Sequence, residues 1–330
     1  MPRHRPAFLM ALCVVAVATP ALAQVAAPPA AEPPREEDRI AFSTNRDGNY
    51  EIYVMDPDGP WLQRLTDTPG VQEKDPCWSP NGQKLAFECN DAEIWTMWAD
   101  GSGRARLTRG KDPSWSPDGN RIAFSDSRHG NPEIYTIDIN GYVTRLTSTS
   151  ANETCPSWSP DGRWIAFQAR SPGGQDAIYT MRADGTERTF ITRGCHPSWS
   201  PDGGRLVFSS NRDRGYDLYV IGVPRGASTR LLSNDWADHN PAWSPDGTRI
   251  AFDSRPDTTV ERQAAGDDEE LVLIGATGRP VRQLTSNLRV ADIEPAWRPR
   301  LQRPEPTPDG PRPAPGVPPQ APDSRPAPER

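Results

Sequence analysis

Residues 154–167 read TCPSWSPDGRWIAF, and nearly the same words occur at 112–124 as DPSWSPDGNRIAF. The shared motif is Pro-x-Trp-Ser-Pro-Asp/Asn-Gly followed by an apolar-Ala-Phe segment. Its tryptophans are separated by 37, 43, 41, 44 and 54 residues, and they are Trp78, Trp115, Trp158, Trp199, Trp243 and Trp297. A period of about 40 residues is typical of repeat proteins, because one unit cannot bury its apolar faces alone.

Four short segments follow one another in each repeat. Ser-Pro-Asp-Gly suits a type I turn, since Pro presets φ and Gly takes the left-handed position after the turn. Residues 165–167 (IAF) fit a strand with two large side chains on one face and a small one on the other, and residues 133–135 (EIY) fit a second strand. Asp184-Gly185 fits a hairpin turn. Four short antiparallel strands per repeat predict a propeller blade.

The two ends of the array predict how the repeat closes. Residues 39–66 supply the second, third and fourth strands of a blade but no Pro-x-Trp strand, whereas residues 294–298 (EPAWR) supply a Pro-x-Trp strand with nothing after it. The two fragments together complete one blade. We therefore predict an all-β fold, a six-bladed β-propeller closed by a C-terminal strand that completes the first blade. Each Trp should fill the wedge between two blades.

The Pro-x-Trp-Ser-Pro-Asp-Gly, Ile-Ala-Phe and Glu-Ile-Tyr motifs resemble the WD40-like repeats of the TolB propeller family, and the resemblance covers residues 39–298. It implies a six-bladed periplasmic binding protein of the type found in the bacterial Tol–Pal envelope system. TolB proteins carry an α/β domain ahead of the propeller, through which they meet the rest of the Tol machinery. Here the residues ahead of blade one are of low complexity, so the resemblance implies the propeller rather than membership of that system.

Both ends of the chain differ in composition from the repeats. Residues 1–23 read as a signal peptide, with a basic start, an apolar run and Ala21-Leu22-Ala23 as the cleavage site, which predicts a periplasmic or secreted protein. Residues 24–38 read as a low-complexity linker and residues 299–330 as a Pro-rich disordered tail. The net charge of −7 argues against a nucleic-acid partner. We expect a monomer without a membrane span.

The residue directly before the Pro of each Pro-x-Trp segment occupies an equivalent position in every blade. The repeat places these six residues at the mouth of the central channel. They are Asp75, Asp112, Cys155, His196, Asn240 and Glu294, and the residue before each is Lys74, Lys111, Thr154, Cys195, His239 and Ile293. The loops on this side vary between copies, whereas the Ser-Pro-Asp-Gly turns on the other side do not. Asp238, Asp292 and the run 266–270 (GDDEE) add negative charge beside the mouth. We therefore predict partner binding at these six residues and His239, with a basic or amine-bearing peptide end as the guest.

The same ring of carboxylates, imidazoles and thiols could hold a divalent cation. A polar, water-filled channel explains the ring equally well, and we favour it because opposite members could be too far apart for metal bonds. No cofactor is therefore expected, and the metal ligands, if any, stay undefined. Cys155 and Cys195 lie on neighbouring blades, with Cys195 one residue earlier in its repeat than Cys155. The sequence does not decide whether they form a disulfide. Cys77 and Cys89 cannot be bridged, because strand pairing sets Cys89 opposite residue 73.

Several charged residues recur at fixed offsets, and recurrence indicates a structural role. They are Arg46, Arg128 and Arg212 in one set and Glu51, Glu93, Glu133 and Glu270 in another. The sequence has no Gly-x-Ser-x-Gly elbow, no His-Glu-x-x-His pair and no phosphate-binding loop. We expect a non-catalytic scaffold that binds a protein or peptide, such as an envelope protein. The alternatives are a propeller lyase or hydrolase with a metal at the mouth, and a propeller detached from a prolyl-oligopeptidase-type enzyme.

Overall fold

The computed structural model describes residues 38–213, 215–224, 226–234, 236–256, 269–286 and 289–300, all within one compact unit. The expected signal peptide, the linker up to residue 37 and the tail beyond residue 300 lie outside the described residues, as does most of the run 266–270. In the part of the chain that the structure describes, no helix is long and apolar enough to cross a membrane.

The described residues form short strands, numbered here in chain order. The first twelve are β1 (Ile40–Thr44), β2 (Glu51–Met55), β3 (Leu62–Arg64), β4 (Glu73–Trp78), β5 (Lys84–Cys89), β6 (Glu93–Trp98), β7 (Ala105–Arg109), β8 (Lys111–Trp115), β9 (Arg121–Asp126), β10 (Glu133–Asp138), β11 (Val143–Arg145) and β12 (Asn152–Trp158). The next twelve are β13 (Trp164–Arg170), β14 (Asp176–Arg182), β15 (Thr189–Arg193), β16 (Cys195–Trp199), β17 (Arg205–Ser210), β18 (Asp217–Gly222), β19 (Thr229–Arg230), β20 (Trp236–Trp243), β21 (Arg249–Pro256), β22 (Glu270–Gly275), β23 (Val281–Gln283) and β24 (Asp292–Trp297).

The strands form six antiparallel sheets of four strands each. Blade 1 has the order β24-β1-β2-β3, and blades 2 to 6 follow as β4–β7, β8–β11, β12–β15, β16–β19 and β20–β23. In blade 1 the last strand pairs with the first, with Ile40 opposite Trp297 and Thr44 opposite Asp292. The innermost strands pack in a closed series, β24, β4, β8, β12, β16, β20 and again β24. The predicted six-bladed propeller and its closure are therefore confirmed.

Each hydrophobic cluster joins two adjacent blades. In one cluster, Ala166 of blade 4 packs against Trp199, Leu206 and Phe208 of blade 5. The small side chain lets the next sheet approach closely, and the indole fills the wedge, with Trp199 only 8% exposed. Burial of one indole stabilises the fold by about 4–6 kcal/mol as an upper bound. The other five clusters repeat this pattern with Ala41, Ala86, Ala123, Val207 and Ala251.

Arginines cover several of these tryptophans from the neighbouring blade. The guanidinium of Arg121 in blade 3 lies 5.3 Å from the ring centroid of Trp158 in blade 4. The same arrangement occurs for Arg205 over Trp243 at 4.9 Å and Arg249 over Trp297 at 5.0 Å. A guanidinium over an indole face is attractive because the ring face is negative. These cation–π contacts therefore add an electrostatic attraction between neighbouring blades to the apolar packing of the tryptophans.

The Ser-Pro-Asp-Gly turns lie at the end of the innermost strands, on what we call the turn face. In blade 4, Ser159 Oγ donates to Asp161 Oδ1 at 2.6 Å, the Arg163 amide donates to the same oxygen at 3.0 Å, and Gly162 has φ +69°. The two ends of the described chain also meet on this face. Arg300 Nη2 lies 3.1 Å from Asp38 Oδ1 and 3.1 Å from Asp246 Oδ2 of a turn.

Candidate functional site

The six residues that precede the repeated prolines line one cavity of about 300 Å³ at the start of the innermost strands. They are Asp75, Asp112, Cys155, His196, Asn240 and Glu294. We call this space the mouth cavity and the side of the ring on which it lies the mouth face. The prolines beside these residues are buried, whereas the six side chains are partly exposed. His239 lies next to the cavity, with its ring centroid 6.0 Å from that of His196.

All six residues have a left-handed backbone, with φ between 48° and 58°. In blade 4, the strand register passes from Thr154 opposite Gln168 to Ser157 opposite Ala166, so two residues face one on the partner strand. This is a β-bulge, and the same shift occurs on every innermost strand. Sequence reasoning missed it. The available signal was that three of the six residues are Asp or Asn, the non-glycine types that best tolerate this conformation.

Carboxylates crowd one side of the mouth cavity. Ligand oxygens of Asp75, Glu88 and Asp112 all lie within 4.8 Å of one another. Burial, with the nearby charges of Glu294 and Asp112, raises the pKa of Asp75 well above its ordinary value. Burial is also the main cause that raises the pKa of Glu294 to about 7. The Glu294 carboxyl is therefore partly protonated at neutral pH, and the cavity carries less negative charge than its formal count.

Hydrogen bonds link these carboxylates across blades. Glu294 Oε2 accepts from Ser43 Oγ of its own blade and from the amide of Asp75 in blade 2, both at 2.8 Å. Asp112 Oδ2 accepts in the same way from Ser125 Oγ at 2.6 Å and from the amide of Cys155 at 3.2 Å. The mouth residue of one blade thus fixes the backbone of the mouth residue in the next.

A second ring of polar residues stands behind the mouth, and sequence reasoning did not single it out. Its members are Ser43, Glu88, Ser125, Gln168, Ser209 and Asp253. Each is the residue directly after the Phe of the apolar-Ala-Phe segment, and that fixed position was the signal that could have found them. In blade 6 the roles are exchanged, because Asp253 Oδ1 is the acceptor: it accepts from Asn240 Nδ2 at 2.9 Å and from the Glu294 amide at 3.1 Å.

The opposite side of the mouth cavity holds sulfur and nitrogen. Ligand atoms of Cys195, His196 and His239 lie within 4.8 Å of one another, and the two imidazoles meet at 85°. Burial lowers the pKa of His196, and it lowers the pKa of His239 to about 3 with a further contribution from His196. Both imidazoles are therefore neutral at physiological pH, with a lone pair on one nitrogen. The potential metal ligands that come together are thus contributed by adjacent blades and not by blades on opposite sides of the ring.

The four cysteines outside the expected signal peptide are free. Glu73 lies opposite Cys89, as predicted, so Cys77 and Cys89 are not bridged. Cys155 and Cys195 do not pair either. Burial raises the pKa of the Cys77 thiol to about 11 and that of the Cys195 thiol to about 12. These thiols are protonated and poorly reactive in the metal-free protein.

The recurring arginines and glutamates lie away from the mouth cavity and make structural contacts. Arg128 donates to Asp126 and to the carbonyl of Arg109, and its guanidinium lies 5.0 Å from the ring centroid of Tyr135. Glu133 accepts hydrogen bonds from Arg145 at 3.0 Å and Thr147 at 2.7 Å. Equivalent contacts are made by Arg46, Arg212, Glu51 and Glu270, while Glu93 pairs with Arg106.

Two acidic residues that were expected beside the mouth are buried inside the blades and make internal contacts there. Asp238 is fully buried and accepts from Ser254 Oγ at 2.6 Å. Asp292 is also fully buried, with Arg46 Nη2 at 2.9 Å. Their side chains lie within the blades, because they precede the bulge by one or two residues and therefore follow the pleat of the strand. Neither contributes exposed charge to the mouth face.

Comparisons with known proteins agree with this architecture. The TolB beta propeller domain family matches residues 109–196. A crystal structure of TolB from Acinetobacter baumannii is similar with a TM-score of 0.67 and 23% identity, over 80% of this chain and 67% of that one. The structure of a TolB candidate from Agrobacterium tumefaciens is similar with a TM-score of 0.65 and 20% identity, over 78% of this chain and 97% of that one.

An oligogalacturonate lyase in complex with manganese shares the fold at a TM-score of 0.52 and 15% identity, over 75% of this chain and 74% of that one. No curated protein matches the chain. The predicted resemblance is confirmed by the matched repeats, by the two TolB structures and by the six closed blades. The chain is a six-bladed β-propeller whose repeats and fold are similar to those of TolB propellers.

Proposed function

We propose that this propeller is a non-catalytic scaffold that docks a protein or peptide partner at the mouth cavity. The observation that supports the proposal is the contrast between its two faces. Six blades deliver six partly exposed polar side chains, of five residue types, to one cavity. The turn face instead repeats Ser-Pro-Asp-Gly with little change. A repeated scaffold with one individual face is typical of binding proteins.

The chemistry of the cavity favours a positively charged guest, such as a basic side chain or the amino end of a peptide. Asp75, Asp112 and Glu294 lie on its wall, and Glu88 lies beside them. A cation that enters would stabilise the ionised carboxylates and displace the protons that burial retains there. Binding energy would come from charge-assisted hydrogen bonds inside a partly dehydrated space.

The proposal includes an exported protein that acts in the periplasm or outside the cell. Support comes from the composition of residues 1–23 and from the likeness to TolB propellers. An envelope protein is the partner class that this location favours. We propose that the propeller acts as a monomer.

The test compares two matched double variants in capture from an envelope extract. The mouth variant carries Asp75→Asn and Asp112→Asn, and the turn variant carries Asp118→Asn and Asp161→Asn. A partner that docks at the mouth should be captured by wild type and by the folded turn variant but not by the mouth variant. Capture that is lost only in a folded turn variant would contradict the proposal.

A second function, a metal-dependent propeller enzyme, is favoured by one observation. Two groups of potential metal ligands each contribute residues to the lining of the cavity, Asp75 and Asp112 from one and His196 from the other, and the fold is shared with a manganese-bound oligogalacturonate lyase. Incubation with oligogalacturonate, with and without manganese, distinguishes the two functions. Appearance of unsaturated products with wild type, and their loss in the Asp75→Asn and Asp112→Asn variant, would favour the enzyme.

A further inference from the structure

The sulfur and nitrogen side of the mouth cavity is built by two adjacent blades. Cys195 and His196 are consecutive on β16 of blade 5, and His239 lies on β20 of blade 6. One ligand atom from each residue lies within 4.8 Å of the other two. Cys195 is 3% exposed, and the ring of Tyr216 covers His239 with the centroids 4.4 Å apart. The three side chains are therefore held close together, with His196 on the cavity wall and the other two behind it.

Several polar atoms at this place are buried without a hydrogen-bond partner among the described residues. They are Nδ1 of His196, Nε2 of His239 and Oγ of Ser209. A buried polar group without a partner destabilises the fold, so it calls for an explanation such as a bound ion or water.

Equivalent positions in two other blades do not have this defect. Ser43 and Ser125 stand where Ser209 stands in its blade, and each donates to the mouth carboxylate of its own blade, at 2.8 Å and 2.6 Å. In blade 5 the mouth residue is His196, and neither Ser209 Oγ nor the imidazole Nδ1 has such a partner. The equivalent Gln168 of blade 4 also has a buried Oε1 without a partner, so unsatisfied atoms occur both at the sulfur and nitrogen ligands and in the blade beside them.

We propose that Cys195, His196 and His239 bind a zinc ion. Thiolate and neutral imidazole are the preferred ligands of zinc, whereas calcium and magnesium prefer oxygen. Tetrahedral zinc with bonds of about 2.0–2.3 Å holds its ligand atoms roughly 3.3–3.8 Å apart. The ligand atoms, now within 4.8 Å of one another, must therefore move closer by up to about 1.5 Å when zinc binds.

Three protein ligands leave one coordination position, as in open zinc sites that hold a water. His196 lines the mouth cavity, so the open position faces that space. Ser209 lies opposite Cys195 in the sheet, and its hydroxyl can bond a water held there. The site would accept an anionic or sulfur-bearing group from a ligand in the cavity. It goes beyond partner docking and can be tested without a partner.

The experiment titrates metal-stripped protein with zinc against a chromophoric chelator, and separately with cobalt. Wild type should bind one equivalent of zinc and show the thiolate-to-cobalt charge-transfer band. Cys195→Ser should abolish that band, and both Cys195→Ser and His239→Gln should weaken zinc binding by more than about 100-fold, beyond the loss typical of outer-shell changes. Cys89→Ser and His129→Gln, which alter a thiol and an imidazole elsewhere, should bind zinc like wild type.

Urea unfolding of the metal-free variants shows whether each substitution keeps the fold. His239→Gln provides a second folded variant if Cys195→Ser does not fold. Three results would overturn the proposal: no stoichiometric zinc in wild type, unchanged zinc affinity in both folded variants, or zinc binding that is lost with Asp75→Asn and Asp112→Asn but kept with Cys195→Ser.

Discussion

Glu294 Oε2 accepts a hydrogen bond from the backbone amide of Asp75, which is 2.8 Å away and 219 residues earlier in the chain. Glu294 lies on β24, the strand that closes blade 1, and Asp75 lies on the innermost strand of blade 2. The contact therefore belongs both to ring closure and to the mouth cavity. A change at either residue should be read for its effect on the fold as well as on binding.

Ring closure predicts opposite results for two truncations. Deletion of residues 290–330 removes β24 and with it Trp297, so it should lower the free energy of unfolding by more than about 4 kcal/mol. Deletion of residues 302–330 keeps every strand and should change it by less than about 0.5 kcal/mol. Thermal unfolding followed by circular dichroism measures both. Equal melting temperatures for the two truncations would show that blade 1 is not closed by β24.

The interblade wedge predicts a large cost for removing one indole. Trp158 is 7% exposed and packs between blades 3 and 4, so Trp158→Ala should lower the free energy of unfolding by about 3–5 kcal/mol. Tyr142 is 74% exposed, and Tyr142→Ala should cost less than about 0.5 kcal/mol. Urea denaturation provides the comparison. A loss below about 1 kcal/mol for Trp158→Ala would mean that the motif serves recognition rather than packing.

The left-handed backbone of the mouth residues predicts which side chains they tolerate. Cys155 has φ +50° and a side chain that reaches the cavity rather than the core. A β-branched residue is costly in this conformation, so Cys155→Val should destabilise the protein by about 1–2 kcal/mol. Cys155→Asn, which suits the conformation, should be nearly neutral. Equal stability of the two variants would argue that the bulge relaxes.

Burial of the mouth carboxylates predicts how stability changes with pH. Burial raises the pKa of Glu294 from 4.5 to about 7, so its protonated form is favoured in the fold. The contribution of protonated Glu294 to the stability of the fold is complete below pH 4.5 and is lost as the pH rises through 7. Glu294→Gln resembles the protonated form at every pH. Between pH 4.5 and pH 8, its free energy of unfolding should therefore rise relative to that of wild type by about 1–3 kcal/mol.

A turn residue serves as the control with the opposite sign. Burial of Asp246 is outweighed by hydrogen bonds from Ser244 and Thr248, which lower its pKa to about 2. Its contribution is present above the ordinary value of 3.8 and is lost as the pH falls through 2. Asp246→Asn should therefore destabilise the protein at neutral pH and have less effect in acid. Parallel pH profiles for the two variants would contradict the assigned charge states.

Displacement of protons by a cationic guest predicts the conditions for partner binding. Affinity should rise between pH 5.5 and 8 by up to about tenfold per pH unit for each proton released. It should fall as salt rises, because charge steering is screened over about 8–10 Å. The variant with Asp75→Asn and Asp112→Asn should lose much of the salt dependence. Affinity that does not change with pH or salt would indicate an apolar guest.

The sequence predicted the blades, their number and the six mouth positions, because all three follow from the spacing of one motif. It did not predict the bulge that gives Cys155 a positive φ, since the residue types at this position differ from blade to blade. Nor could it show that His196 approaches His239 while Asp238 turns away. Those distances depend on the bulge and on how closely neighbouring blades pack.

The contacts of Arg300 with Asp38 and Asp246 have a practical consequence for engineering. The first and last described residues sit side by side, so a short linker could join them, and the chain could be reopened at the exposed Asn140-Gly141 turn as a circular permutant. Both attachment points lie on the turn face, away from the mouth. A tag, carrier or surface coupled at residue 38 or residue 300 would therefore lie on the side of the ring opposite the mouth cavity.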